Sequence, residues 1–62
     1  MNIGRILTLD EVADFLKTSV KTVRRRVASG KLKAFKEGGR VLVLEAELEE
    51  YIRRQIAAPF NS

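Results

Sequence analysis

The sequence predicts one small α+β domain with its elements in the order α-α-β-β-α. Three observations carry that expectation. A capping-box pair, Thr8 and Glu11, opens an apolar run of helical period. Two β-prone stretches flank Gly38 and Gly39, and the helical period returns at Glu45. The chain has 62 residues, and a chain this short hides only about 60% of the surface its unfolded form exposes, which leaves room for one core. The whole of 1–62 is therefore read as one domain.

The first helix is expected over about 8–16. Leu9, Val12, Ala13 and Leu16 recur at i, i+3, i+4 and i+7, while Asp10, Glu11 and Asp14 stay in water and favour the helix N-terminus. A second helix follows over about 19–29, with Ser19 as N-cap and Gly30 as the left-handed stop. Its Val20, Val23 and Val27 form a narrow stripe toward the first helix. At 100° per residue the opposite side holds Lys21, Thr22, Arg25 and Ser29, with Arg24 and Arg26 flanking the stripe. A hairpin is expected over about 32–44, built from KLKAFK and RVLVL. A two-residue Gly38-Gly39 turn pairs Glu37 with Arg40, Phe35 with Leu42 and Ala34 with Val43. Leu32, Ala34 and Val43 then share the core face. Phe35, Leu42 and Leu44 point the other way and need cover from a terminus or a partner. The third helix spans about 45–57, with Leu48, Tyr51, Ile52, Gln55 and Ile56 on one stripe and four glutamates in its first two turns. Leu44 is a poor N-cap for it, and PFNS reads as a frayed tail.

The charge is unevenly spread. Net charge is +4, but residues 17–40 hold Lys17, Lys21, Arg24, Arg25, Arg26, Lys31, Lys33, Lys36 and Arg40 against Glu37 alone, leaving acidic residues in excess on both flanks. Such a dipolar distribution steers one face toward a polyanion. Nucleic acid is the first candidate, anionic membrane the second. With no Cys and no His, the chain lacks a disulfide, a thiolate nucleophile, a Cys-based zinc site and the commonest general base. No catalytic residue, metal site, cofactor or small-molecule ligand is expected. Glu45, Glu47, Glu49 and Glu50 read as surface charge. Neither a transmembrane-length apolar run nor the features of a secretory signal are present in the sequence, so a cytoplasmic location is expected.

Two short helices joined by a tight turn, the second cationic on its exposed side, meet the requirement for insertion into a DNA major groove. A basic hairpin with glycines at its tip suits a wing that reaches the adjacent backbone. The order LTLDEVADFL, TSVKTVRRRVASGKLKAF, GGR with an apolar strand, and LEEYI resembles the small winged helix-turn-helix proteins of the excisionase type, related to the DNA-binding part of MerR-like regulators. The resemblance covers residues 7 to about 54. It implies a MerR-like winged helix-turn-helix fold, a double-stranded DNA partner, and a bacterial, phage or plasmid source. By resemblance the recognition helix meets DNA through Ser19, Lys21, Thr22 and Arg25, and the wing through Lys36, Gly38, Gly39 and Arg40. Arg24 and Arg26 depart from the family pattern and are read as extra backbone contacts, with the alternative for Arg26 that its stem lies over the core. Lys17 stands where relatives often carry Gly and is a candidate phosphate contact.

Three readings follow. An excisionase, or recombination directionality factor, would bind and bend attachment-site DNA to promote integrase-mediated excision, with an integrase and neighbouring copies as further partners. A small MerR-like transcription regulator would use the same contacts at other sites. A protein-interaction module of antitoxin type would turn the basic face toward an acidic protein. In the first of them Phe35, Leu42 or the third helix would carry the contacts to a neighbouring copy or to the integrase, and whether Phe35, Leu42 and Leu44 form a partner interface is left open by the sequence.

Overall fold

In the computed structural model, which describes residues 4–57, the chain runs β1 (Ile6–Thr8), α1 (Leu9–Leu16), α2 (Val20–Ala28), β2 (Phe35–Glu37), β3 (Arg40–Leu44) and α3 (Glu45–Ala57). The expected small α+β architecture is present, with one addition. A short N-terminal strand precedes the first helix, so the order is β-α-α-β-β-α. The strands form an antiparallel sheet in the order β1-β3-β2. β1 pairs Ile6 with Leu44, Leu7 with Val43 and Thr8 with Leu42. Three residues are too few to show an alternating pattern, and Thr8 reads equally well as a helix cap.

Thr8 does both jobs. It ends the β1 ladder, and its Oγ1 accepts the Glu11 N–H at 3.1 Å while its own N–H donates to Glu11 Oε1 at 2.8 Å. Only Lys17, Thr18 and Ser19 separate α1 from α2. Lys17 takes the left-handed conformation, φ 58°, and the Thr18 N–H closes α1 on the Ala13 carbonyl at 2.9 Å. Ser19 caps α2 by accepting the Thr22 N–H at 3.1 Å. At the other end Gly30 has φ +82°, its N–H bonds the Val27 carbonyl, and the Lys31 N–H bonds the Arg26 carbonyl at 2.9 Å. This is a Schellman closure, which the glycine permits without a Cβ clash.

The hairpin register is the expected one, with Phe35 opposite Leu42 and Glu37 opposite Arg40 across the two glycines. Its first strand is shorter than KLKAFK suggested. The N–H groups of Lys31 and Leu32 are both drawn back to the Arg26 carbonyl, so the ladder starts only at Phe35. Leu32 is nevertheless fully buried. It joins Leu7, Leu9, Val12, Ala13, Val23, Val43, Leu48 and Tyr51 in one core, with Val20, Val27, Ala34 and Val41 packed against it.

The second sheet face is covered partly from within the chain. Residues opposite each other across antiparallel strands share a face, so Thr8 and Phe35 flank Leu42, which is only 6% exposed. Phe35 and Ile6 stay open at 37% and 47%.

α3 follows β3 without a linker. The poor cap at Leu44 is compensated by the backbone, because the Glu45 N–H donates to the Arg5 carbonyl at 2.8 Å. Leu48 and Tyr51 are buried and Ile52 is half-buried, but Gln55 and Ile56 border an open cleft instead of completing the stripe. The expected frayed tail lies outside the described residues.

Candidate nucleic-acid interface

The valine stripe decides which way α2 faces. Val23 is buried, and Val20 and Val27 pack on the same core. Lys21, Arg25 and Ser29 are thereby turned to solvent. Thr22 is half-buried and held to the cap, its Oγ1 accepting from Ser19 Oγ at 3.1 Å. The first turn of α2 contains no acidic residue. Among the described residues the one ion pair within 4 Å is Arg53 with Glu50 on α3, so the cations of α2 and the wing are not neutralised by neighbouring carboxylates.

The wing stands beside this helix. Gly38 and Gly39 both have positive φ, 57° and 83°, which is the geometry of a type I′ turn and is disfavoured for any residue with a Cβ. Lys36, Glu37 and Arg40 are all exposed around that tip. Between α2 and the wing runs a cleft of about 460 Å³. Val20, Val27 and Leu42 supply its apolar surface, Arg24 borders it from α2 and Arg40 from the wing, and Asp10 lies at its edge.

A model of the helix-turn-helix domain family matches residues 6–56, from β1 into the last turn of α3. The chain belongs to that family. It is also similar to the excisionase of Mycobacterium phage D29, with 43% identity over 49 residues that cover 79% of this chain and 88% of the relative. No solved structure matches. The chain is thus a small excisionase-type helix-turn-helix DNA-binding protein and not an enzyme.

In this helix-turn-helix protein the expected contact residues are exposed, apart from the half-buried Thr22 and Arg26. Ser19 and Lys21 open α2, Arg25 lies one turn on from Lys21, and Lys17 is exposed in the preceding turn. Arg24, a flank of the stripe and a candidate backbone contact, borders the same cleft as Arg40 of the wing.

Arg26 is tied into the fold. Its guanidinium donates from Nη1 to the Tyr51 hydroxyl, and its Cζ lies 5.9 Å from the centre of the Tyr51 ring. Tyr51 is 4% exposed, and a buried phenol needs a hydrogen-bond partner. Arg26, on the flank nearest α3, supplies it and is itself half-buried. Arg54 of α3 adds a second tie, donating to the Lys31 carbonyl at 2.9 Å. Neither link was foreseen; a polar group on the apolar stripe of α3 was the available signal.

Among the described residues no three acidic side chains gather as metal ligands, and no helix is long and apolar enough to cross a membrane.

Proposed function

We propose that the chain is an excisionase that places α2 in the major groove of attachment-site DNA, grips the neighbouring backbone with its wing, and bends the duplex to favour integrase-mediated excision. One observation carries the reading. The exposed side of α2 and the wing beside it present Lys21, Arg24, Arg25, Lys36 and Arg40 without carboxylates paired to them.

Lys21 and Arg25 reach base edges, where Arg can donate two bonds to guanine O6 and N7. Ser19, Thr22 and the N-terminal N–H groups of α2 face a phosphate, and Lys17 a second one. Arg24 and Arg40 straddle one backbone strand across the cleft. The Gly38-Gly39 tip lets main chain approach the next phosphates closely. Arg26 serves the fold through Tyr51. With about five phosphates neutralised, log K falls against log salt with a slope of about −4 to −5.

Selection of duplexes from a random pool, followed by gel-shift bending on single and tandem copies of the selected site, tests the proposal. A short motif bound cooperatively in tandem, with a substantial bend, is the expected result. One isolated or palindromic site with little bending would assign the chain to transcription regulation instead. No enrichment at moderate salt would refute the recognition surface.

A further inference from the structure

The face formed by α1 and α3 has a character opposite to the recognition surface. Between them lies a groove of about 340 Å³ with Leu7, Leu48 and Ile52 contributing apolar surface and no residue of α2, β2 or the glycine turn lining it. Phe15 borders it and is 64% exposed. Among the described residues Phe15 is not part of the core, since the stripe of α1 that meets it is Leu9, Val12, Ala13 and Leu16. Among the described residues the groove is bordered by Glu11, Asp14, Glu45 and Glu49 against the single cation Arg5. Glu11 is engaged in the cap of α1, but none of the four carboxylates forms an ion pair within the described residues.

We propose that this groove docks a cationic amphipathic helix of a protein partner. Its apolar residues would pack on Phe15, Leu48 and Ile52 while flanking Lys or Arg side chains meet Asp14, Glu45 and Glu49. Charge decides the occupant. DNA and anionic lipid are repelled by four carboxylates in one groove, whereas a basic segment is attracted and its aliphatic stems add contact on the apolar floor. The chain's own basic helix does not qualify as the guest, because its apolar valines are already inside the core. The groove lies off α2 and the wing, so the protein can hold DNA and this partner together. The inference rests on the groove alone and is independent of how α2 reads DNA.

The test uses the full chain labelled with nitrogen-15 and two synthetic helical peptides. One carries Leu at i, i+4 and i+7 with Lys and Arg elsewhere; the other replaces every Lys and Arg with Glu. The cationic peptide is expected to give saturable amide shifts centred on Leu7, Phe15, Leu48 and Ile52, with an affinity that falls as salt is raised. Phe15→Asp alone, and Asp14→Lys with Glu49→Lys, should each weaken it at least tenfold. These positions are exposed, and unchanged shifts across the core confirm that the variants remain folded. Shifts centred elsewhere, equal response to the anionic peptide, or no saturable binding would overturn the proposal. Concentration-dependent dimerisation abolished by the same substitutions would also overturn it, by giving the groove to a second copy.

Discussion

Replacing Tyr51 with Phe removes one oxygen from the interior and leaves the ring in place. That oxygen accepts the bond from Arg26 Nη1, while the ring stays 5.9 Å from the guanidinium carbon. Tyr51→Phe therefore deletes the hydrogen bond and keeps the packing of the ring. A bond to a charged group contributes about 1.5–3 kcal/mol when well shielded. Arg26 is only half-buried, so water takes over its freed N–H and screening lowers the loss to about 1 kcal/mol. Arg26→Ala also removes the half-buried stem over the core, for a loss of about 1–2 kcal/mol.

A core this small supports about 3–5 kcal/mol in total, and each kcal/mol shifts the melting temperature of such a domain by about 4–8 °C. The losses are therefore measurable by urea unfolding followed by circular dichroism, at constant m-value. The double-mutant cycle should return a coupling of about 1 kcal/mol. Under conditions where the variant is folded, Arg26→Ala should leave the salt slope of duplex binding unchanged. Zero coupling would refute the Tyr51 link, and a slope reduced by about one would put Arg26 back on a phosphate.

Arg25→Ala should relax base preference at one position at a cost of about 1–3 kcal/mol, whereas Arg40→Ala should weaken all duplexes alike and lower the salt slope by about one, as selection and titration on matched and mismatched sites would report. Lys17→Gly removes a side chain from a left-handed residue that costs about 1–2 kcal/mol in an L-residue, so its melting temperature should rise while the salt slope falls by about one. Leu32→Ala empties a fully buried position at about 2–5 kcal/mol, close to the whole stability, and a dispersed amide spectrum should collapse.

Much of this was readable in the sequence because local chemistry and packing agree. The Thr8 and Glu11 spacing, the valine stripe of α2, the stop at Gly30 and the hairpin register across Gly38 and Gly39 are all decided within a few residues, and all are present. What escaped depends on partners distant in the chain. β1 exists because β3 offers it an edge, not because three residues prefer to be extended. The fate of Arg26 is decided by a phenol 25 residues away. Helical geometry alone leaves Arg24 and Arg26 equivalent as flanks of one stripe; the wing lies on one side and α3 on the other, and that separates them.

The junctions carry a mechanical consequence. Thr8 belongs at once to the sheet and to the cap of α1, and Glu45 leaves β3 straight into α3 with its N–H on the backbone of the N-terminal segment. The segment between α2 and the wing is pinned by the burial of Leu32 and by Arg54 on the Lys31 carbonyl. With no slack at any of these joints, the distance from α2 to the glycine tip behaves like a fixed gauge. On the proposed mode of binding, a duplex touching both at once would itself do the conforming, and sequences that deform cheaply would be preferred at base pairs no side chain reaches.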